Sequence, residues 1–321
     1  MSIVVLGAGA FGTALAITLA RDGIPVGLWA RDPEQVEAMR KSRRNERRLP
    51  DAVIPEIVSI SADLADFAAA RTVLVAVPMQ QLAGFLAEYA NTLDGKSLVA
   101  CAKGIDLATG RGSAEIIAET CPRAIAAILT GPSFAVDIAR GLPTALTLAC
   151  EDDGTGAALQ EQLSTSTVRL YRTSDMIGAE LGGALKNVIA IASGVVIGAG
   201  LGHSARAALL TRGFAEMSRL ALALGAAQDT LTGLSGLGDL VLTCTSSKSR
   251  NYSYGHALGA GETPAADVTV EGVATARAAT ALAARHGVEM PIAEMVAAIV
   301  EGRTTVPAAV ETLMARPLKK E

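Results

Sequence analysis

The first half of the chain alternates short apolar runs with segments of helical periodicity. The apolar runs lack polar alternation, which is typical of strands that are covered on both faces. These predicted strands are Ile3–Leu6, Pro25–Trp29, Val73–Val77, Ser97–Cys101, Ile125–Leu129 and Ala145–Ala149. The helical segments between them are Gly12–Asp22, Pro33–Lys41, Gln80–Asn91 and Arg111–Thr120. Such alternation predicts an α/β fold with an N-terminal Rossmann-type, doubly wound parallel sheet.

After about Tyr171 the pattern becomes helical throughout, apart from one strand-like segment at Leu240–Thr243. Asp175 and its two predecessors predict an N-cap for the first of these helices. The predicted helices are Ser174–Gly198, His203–Leu224, Gly272–Gly287, Ile292–Glu301 and Pro307–Arg316. We therefore expect an α/β domain over residues 1–175 and an all-α C-terminal domain over residues 176–321.

Composition narrows the possible functions. Half of the 321 residues are hydrophobic, 19% are charged and the net charge is −4, so a nucleic-acid partner is not expected. The one dense basic run, residues 40–48, is either a solvated segment or part of an anion site. The three histidines are far apart and the four cysteines form no CxxC pair, which predicts no metal and reduced thiols.

The chain shows no targeting or membrane signal. The N-terminal apolar run is too short for a signal peptide. The uncharged stretch Val188–Gly202 has 15 residues, which is short for a membrane span and favours a buried core helix. We expect a cytoplasmic protein without a membrane partner.

A glycine motif follows the first predicted strand. Residues 7–12, Gly-Ala-Gly-Ala-Phe-Gly, have the GxGxxG spacing and lead into a helical segment and a second strand. In that context Gly7 allows a tight turn, Gly9 lets the backbone approach a pyrophosphate, and Gly12 allows close helix–strand packing. The helix N-terminus also attracts phosphate groups. The motif predicts a dinucleotide site.

The end of the second strand bears on the choice between NAD and NADP. An acid there would accept a hydrogen bond from the ribose 2′-hydroxyl, whereas an arginine suits a 2′-phosphate. Arg31 and Asp32 are adjacent at this position. Arg31 favours NADP, with NAD as the alternative cofactor, although a surface arginine that stacks on the adenine is also consistent with the sequence.

Three polar positions follow the fourth and fifth strands. Ligands of doubly wound sheets bind beyond the carboxyl ends of the strands. Lys103 follows the fourth strand, and Gly131 and Ser133 follow the fifth. We expect all three at the rim where a nicotinamide must lie. From position alone, Lys103 is either a surface charge or a ligand to an anion or carbonyl.

In the helical half, Lys186 lies beside two glycines in an apolar segment. Gly182 and Gly183 precede it by four and three residues on the same helix face, so we expect them to leave room for a ligand. Burial disfavours the charged form of an amine, which suits a proton donor near neutral pH. Alternatively, the lysine reaches the surface.

Two later segments carry candidate chemistry. The glycine-rich segment 233–240 presents one carboxylate, Asp239, which we expect to orient a lysine or bind a hydroxyl. Residues Ser246–Asn251 combine hydroxyls, two cations and an amide, a mixture that suits a phosphate group. The alternative for this last segment is an ordinary polar loop.

Together these segments resemble the bacterial-type NAD(P)-dependent glycerol-3-phosphate dehydrogenase family over nearly the whole chain. The motifs that carry the resemblance are Gly7–Ala16, Ala102–Gly104, Gly131–Ala135, Leu185–Asn187, Arg212–Met217, Gly236–Leu240, Ser249–Asn251 and Val270–Gly272. The resemblance implies an enzyme that reversibly reduces dihydroxyacetone phosphate to sn-glycerol 3-phosphate with NAD(P)H for glycerophospholipid synthesis.

The resemblance also implies residue roles. Lys186 would be the catalytic proton donor and acceptor at the C2 oxygen, framed by Lys103 and Asp239. The implied substrate-binding residues are Lys103, Gly131, Ser133, Lys186, Asp239, Ser249, Arg250 and Asn251. The implied cofactor-binding residues are Gly7, Gly9, Ala10, Phe11, Gly12, Arg31, Lys103, Ala135, Arg250 and Glu271. Phe11 departs from the Trp or Tyr common in the family, so it retains the ring without a polar group.

Two other functions compete with this one. A dehydrogenase of the same architecture that acts on 6-phosphogluconate or pantoate would not need the Ser-Arg-Asn cluster. A non-catalytic nicotinamide-binding regulator would not need Lys186 and Asp239. We expect a small-molecule substrate as the main partner, and the apolar helical domain is also compatible with a homodimer.

Overall fold

The computed structural model describes residues 2–265 and 269–317, and it divides into two compact units. Unit 1 extends to Lys103 and resumes from Arg111 to Glu180. Unit 2 comprises Gly104–Gly110 and the chain from Leu181 onward. The boundary predicted between residues 175 and 176 thus lies five residues before the division at 180 and 181.

Unit 1 contains an eight-stranded sheet and a separate hairpin. The strands are β1 (Ile3–Leu6), β2 (Val26–Trp29), β3 (Arg44–Asn45), β4 (Leu49–Val53), β5 (Ser59–Ser61), β6 (Thr72–Val75), β7 (Ser97–Ala100), β8 (Ile125–Thr130), β9 (Thr144–Ala149) and β10 (Val168–Thr173). The sheet order is β10-β9-β8-β7-β6-β1-β2-β5, and β3 pairs with β4. The chain therefore builds outward from β1 in both directions, so the loop after β1 opens at the topological switch point.

The sheet is parallel except where β8 meets β9, which pair antiparallel. The predicted parallel sheet is thus present with one exception, at this pair. A parallel crossover usually contains a helix that runs back along the sheet, whereas the only helix between these strands, Ala135–Ala139, has five residues. The chain therefore turns back, and β9 and β10 run opposite to the other strands.

Helices cover both faces of the sheet in unit 1. They are α1 (Ala10–Arg21), α2 (Pro33–Ser42), α3 (Met79–Leu93), α4 (Ser113–Thr120), α5 (Ala135–Ala139) and α6 (Asp153–Leu163), with a 3-10 turn at Leu64–Phe67. In β1, Ile3 and Val5 enter one core cluster, while Val4 and Leu6 enter another. Because neighbouring strand residues face opposite ways, both faces are buried, and this explains the absence of polar alternation.

The six predicted strands and four predicted helices of this unit are present, each within two residues at either end. Four strands were not predicted. In the edge strand β10, buried Val168 and Leu170 alternate with exposed Arg169 and Tyr171, so there is no apolar run. β3 and β5 have two and three residues, which is too short for a periodic signal.

In the described residues of unit 2 every regular element is helical, as predicted. The helices are α7 (Met176–Gly198, which begins in unit 1), α8 (Gly202–Ala223), α9 (Gln228–Thr232), α10 (Asp239–Cys244), α11 (Arg250–Gly259), α12 (Glu271–Arg285), α13 (Pro291–Val300) and α14 (Val306–Met314), with a π-helical turn at Leu234–Gly238. The predicted strand at Leu240–Thr243 is wrong, because this segment lies in α10. Its buried Leu240 and Thr243 are three residues apart and so share a helix face.

Helix α7 is the one described helix that is long and apolar enough to cross a membrane. However, 89% of its most apolar 18-residue window is buried inside the protein. Leu185, Val188 and Ile189 belong to the core cluster of unit 2. This burial agrees with the prediction of a core helix. As predicted, the side chain of Asp175 caps the helix, since Oδ1 accepts from the Gly178 N–H at 2.8 Å.

Candidate active site

The loop after β1 has the shape expected of a pyrophosphate cradle. Gly7 adopts a φ of +113°, and a Cβ there would lie 2.6 Å from the Ala76 carbonyl oxygen. A Cβ on Gly12 would press against the Gly7 carbonyl and the Val5 side chain. A Cβ on Gly9, in contrast, would meet nothing within 4 Å. Protein packing therefore requires two of the glycines, and the third faces open space, as the predicted approach of a pyrophosphate to the backbone requires.

A buried amide from the hairpin supports this loop. Asn45 is 1% exposed, and its Nδ2 donates to the Ala8 carbonyl at 2.9 Å and to Thr13 Oγ1 at 2.8 Å. Gln35 Nε2 donates to the same carbonyl at 3.2 Å. Sequence reasoning missed Asn45, because nothing in the basic run shows that one amide folds back onto a loop 37 residues away.

At the end of β2, Arg31 is exposed and Asp32 has two partners. Asp32 Oδ1 accepts from the Glu34 N–H at 3.0 Å and so caps α2. Its Oδ2 accepts from Arg47 Nη1 at 3.2 Å. The basic run is thus divided between the end of α2 and the hairpin, and one of its arginines reaches the end of β2.

Three predicted site residues meet beyond β7 and β8. Lys103 Nζ donates to the Gly131 carbonyl at 3.0 Å, and Ser133 Oγ donates to the same oxygen at 3.3 Å. β7 and β8 are parallel neighbours, so their carboxyl ends bring these side chains together. Ala135 follows as the first residue of α5. The expected clustering at the sheet rim is present, and the binding roles of these residues stay predictions.

In unit 2, Lys186 lies inside α7 and is 6% exposed. Its Nζ donates to Asp239 Oδ1 at 2.7 Å and to Thr243 Oγ1 at 2.7 Å. The Thr243 hydroxyl is also 3.3 Å from Asp239 Oδ1, to which it donates. The alternative in which Lys186 reaches the surface is therefore wrong. Of the two roles expected for Asp239, orienting a lysine is the one observed.

Local structure explains how this cluster forms. Asp239 and Thr243 are four residues apart in α10 and so lie on the same helix face. The π-helical turn before them packs closely on α7, since a Cβ on Gly182 would lie 2.6 Å from the Ser235 carbonyl oxygen. The prediction that Gly182 leaves room for a ligand is therefore wrong, because backbone fills that space. Thr243 was missed because its segment was predicted as a strand.

The predicted phosphate-binding segment, Ser246–Asn251, begins as a polar turn over residues 246–249 and enters a helix at Arg250. Ser249 Oγ accepts from the Tyr252 N–H at 3.2 Å and caps α11. Arg250 is the first residue of α11 and is exposed. The N-terminus of this ten-residue helix favours anions through its dipole. The arrangement is compatible with a phosphate ligand.

Asn251 links three helices of unit 2. Its Nδ2 donates to Asn187 Oδ1 at 2.9 Å, and its Oδ1 accepts from the Gly272 N–H at 2.9 Å. Asn187 directly follows Lys186 on α7, and Glu271 begins α12. One buried amide thus connects the lysine helix with the starts of α11 and α12. Asn187 was not predicted, because the pairing of two amides 64 residues apart has no local signal.

The cysteines do not contribute nucleophiles to these sites. Cys101 lies two residues before Lys103 in the chain. Burial raises the pKa of the Cys101 thiol to about 12, although the positive charge of Lys103 opposes this shift. Burial likewise raises the pKa of Cys244, which follows Thr243, to about 12. Both thiols therefore favour the protonated form at neutral pH, which makes them poor nucleophiles.

Known proteins match the chain across both units. The family models described as NAD-dependent glycerol-3-phosphate dehydrogenase N-terminus and C-terminus match residues 2–155 and 175–311. A glycerol-3-phosphate dehydrogenase (NAD(P)+) from Cereibacter sphaeroides is 64% identical, with 99% of each chain covered. The chain belongs to the NAD-dependent glycerol-3-phosphate dehydrogenase family. The family and the fold expected from the sequence are thus confirmed.

Further relatives of this dehydrogenase agree. The glycerol-3-phosphate dehydrogenase (NAD(P)+) of Paracoccus denitrificans is 59% identical over the whole of both chains. The crystal structure of glycerol-3-phosphate dehydrogenase from Coxiella burnetii has a TM-score of 0.94 at 38% identity and covers 98% of this chain and 99% of that chain. Both the glycine loop and the Lys186 cluster fall within these matches.

Proposed function

We propose that this dehydrogenase reduces dihydroxyacetone phosphate to sn-glycerol 3-phosphate with NADPH or NADH, reversibly. The observation that carries the proposal is the buried cluster in which Asp239 and Thr243 hold the Lys186 ammonium group at 2.7 Å each. A lysine fixed in this way has a defined position from which to exchange a proton with a substrate oxygen. Membership of the family supplies the substrate class.

The chain's own residues handle the charge that develops on the substrate. The nicotinamide cofactor, when bound, supplies the hydride that reduces C2. Lys186 gives a proton to the C2 oxygen and takes it back in the reverse reaction. Lys103 offsets negative charge on that oxygen as it forms. Asp239 and Thr243 keep the Lys186 amine in place and so limit the reorganisation that the reaction requires.

The substrate phosphate fixes C2 in position. We assign it to Ser249, Arg250 and Asn251 at the start of α11, because a charged helix start suits a phosphate dianion. Gly131 and Ser133, next to Lys103, are assigned to the remaining substrate atoms. Binding the phosphate, which is remote from the reacting carbon, restricts the substrate so that C2 is held in the orientation that the reaction requires.

The main cofactor assignments follow the geometry of the glycine loop in unit 1. Gly7, Gly9 and Gly12 form the cradle, with Ala10 and Phe11 beginning the helix above it. Arg31 supports a preference for NADP over NAD. We also assign cofactor contacts to Lys103, Ala135, Arg250 and Glu271.

Two further properties are part of the proposal. The four cysteines are buried and free, which is consistent with a reducing, cytoplasmic setting. A homodimer through unit 2 is supported by the exposed apolar side chains of Leu201 and Leu222, which are 43% and 44% exposed. Light scattering of the purified protein measures its mass, and a monomer at micromolar concentration would contradict the dimer.

A substrate comparison tests the proposed reaction. Purified protein is mixed with NADPH or NADH and, in separate reactions, dihydroxyacetone phosphate or ketopantoate, and the nicotinamide absorbance is followed. 6-Phosphogluconate is tested in the oxidative direction with either oxidised cofactor. Of the three substrates, we expect only dihydroxyacetone phosphate to be turned over rapidly. Binding of cofactor without turnover of this substrate would contradict the proposal.

A further inference from the structure

The hairpin of β3 and β4 brings an arginine to the end of β2. Arg47 lies in the turn between these two strands. Its Nη1 is 3.2 Å from Oδ2 of Asp32, three residues beyond the last residue of β2. The Arg47 and Asp32 side chains are 67% and 42% exposed, so both can meet a ligand. Arg47 therefore contacts the residue that directly follows Arg31 in the chain.

The hairpin is also tied to the glycine loop. Asn45, two residues before Arg47, donates to the carbonyl of Ala8, which lies between the first two glycines of the motif. A hollow of about 200 Å³ is lined in part by Gln35, Asn45 and Arg47. Since Gln35 and Asn45 both bond to Ala8, the hollow borders the loop that fits a pyrophosphate. Arg47 is thus placed at the adenosine end of the dinucleotide site.

Asp32 is engaged by the protein on both oxygens. Oδ1 accepts from the Glu34 N–H, and Oδ2 accepts from Arg47. An acid that selects NAD uses its oxygens to accept from the ribose hydroxyls. In this chain the acid instead holds a guanidinium group near the position that a 2′-phosphate would occupy.

The local charge balance favours an anion. Residues 31–34 and 44–48 contain four arginines, at 31, 44, 47 and 48, and three acids, at 32, 34 and 46, for a net charge of +1. A phosphate monoester carries about −1.5 to −2 charges at neutral pH. Guanidinium groups bind such an anion through paired, charge-assisted hydrogen bonds.

We infer that Arg47 is a specificity-determining residue that, together with Arg31, binds the 2′-phosphate of NADP, while Asp32 positions Arg47 and does not bind the ribose. The inference rests on the proposed function and deepens it. It assigns cofactor selection to a hairpin outside the glycine motif.

The test compares two cofactor fragments that differ only in the 2′-phosphate. Isothermal titration calorimetry measures the binding of adenosine 2′,5′-bisphosphate and adenosine 5′-monophosphate to the wild-type enzyme and to Arg47→Ala. We expect Arg47→Ala to weaken the bisphosphate about tenfold, as loss of one charge-assisted contact would. The monophosphate should change less than twofold. Lys41→Ala, which removes an exposed cation of α2 paired with Glu37, should change the affinity for neither fragment.

A second variant isolates Asp32. Asp32→Asn keeps an oxygen that caps α2 and removes the negative charge, so bisphosphate binding should hold or strengthen while monophosphate binding stays the same. Weaker monophosphate binding would show that Asp32 is a ribose ligand and would overturn the inference. The inference would also be overturned if Arg47→Ala weakened the binding of both fragments equally. It would likewise be overturned if the wild type bound the bisphosphate no more tightly than the monophosphate. Because no substrate is present, these outcomes are independent of dihydroxyacetone phosphate turnover.

Discussion

At the scale of single residues, the proposed chemistry depends on a charge pair that is removed from water. Lys186 and Asp239 are 6% and 0% exposed. Replacing such a pair with apolar groups is often nearly neutral, whereas removing one partner costs about 3–5 kcal/mol because a charge is left buried and uncompensated. The pair is therefore better explained by its function than by a contribution to stability.

A double-mutant cycle tests this explanation. We expect Lys186→Met and Asp239→Asn each to lower the free energy of unfolding by about 3 kcal/mol, and the double variant to lose clearly less than the sum. All three variants should lose turnover by orders of magnitude while cofactor affinity changes little. Urea denaturation and steady-state kinetics are the measurements. If the losses of unfolding free energy were additive, Lys186 and Asp239 would not be energetically coupled. Near-normal turnover in Lys186→Met would show that this lysine has no part in the mechanism.

Sequence reasoning found the charged members of this cluster and missed the neutral one. Lys186 and Asp239 are conspicuous because each is a charge within an apolar or glycine-rich segment. Thr243 becomes a partner only because α10 is helical and places it one turn after Asp239. Asn45 and Asn187 are similar, since their partners are distant in sequence and local patterns carry no information about them.

At the scale of elements, helix α7 depends on close backbone contact. The space next to Gly182 is filled by the Ser235 carbonyl, in the π-helical turn that leads to Asp239. Gly84 in α3 is a natural comparison, because a Cβ there would meet nothing within 4 Å. The two glycines are both inside helices, and they differ only in what surrounds them.

The same substitution should therefore have opposite effects at these two positions. Gly84→Ala should raise the free energy of unfolding by up to about 1 kcal/mol through helix propensity. Gly182→Ala should lower it by about 1–3 kcal/mol through overpacking, and it should reduce turnover because α10 shifts. Thermal unfolding followed by circular dichroism checks both variants. A stabilised, fully active Gly182→Ala would refute the assigned contact.

A second element-scale feature is the buried carboxylate that caps α13. Glu216 on α8 accepts from the N–H groups of Ile292, at 2.9 and 3.1 Å, and of Ala293, at 3.3 Å. Burial raises the pKa of Glu216 to about 7, although these hydrogen bonds and nearby Arg219 oppose the shift and Glu294 adds to it. The carboxyl group thus titrates in the neutral range.

The sign of the resulting pH dependence follows from linkage. Between pH of about 4.5 and about 7 the folded state holds a proton that the unfolded state has lost, so stability falls as the pH rises through this range. The total is about 3 kcal/mol for a shift of this size. Glu216→Gln cannot titrate, so the difference between wild type and variant in urea denaturation at pH 5, 6, 7 and 8 should have this slope. A difference that is flat with pH would contradict the raised pKa.

At the scale of the whole molecule, the elements were predictable where a long buried pattern specified them. The central strands and long helices have strong periodicity, and the structure has them within two residues. The direction of β9 was not predictable, because the apolar pattern of a buried strand is the same for parallel and antiparallel pairing. The short connection between β8 and β9 determines that they pair antiparallel. The edge strand and the hairpin were missed because half-exposed and very short strands lack a continuous apolar signal.

The two units have separate hydrophobic cores, and the glycine loop and Lys186 belong to different units. Binding of NADPH at 100 times its dissociation constant should stabilise the wild type by about 2.7 kcal/mol. At the same NADPH concentration, Lys186→Met should retain this shift, because Lys186 is assigned to the substrate. Asn45→Ala should lose about 1.4 kcal/mol of it, which corresponds to a tenfold weaker affinity, since the glycine loop loses its buried amide.

Calorimetry of each variant with and without NADPH measures these shifts, and each variant serves as its own reference, so a direct effect of the substitution on folding cancels. Dihydroxyacetone phosphate without cofactor is the matched control ligand, and Asn45→Ala should leave its smaller shift unchanged. If Asn45→Ala keeps the full NADPH shift, the hairpin does not support cofactor binding. If Lys186→Met loses the shift, the lysine contributes to cofactor binding, and its assignment to the substrate is wrong.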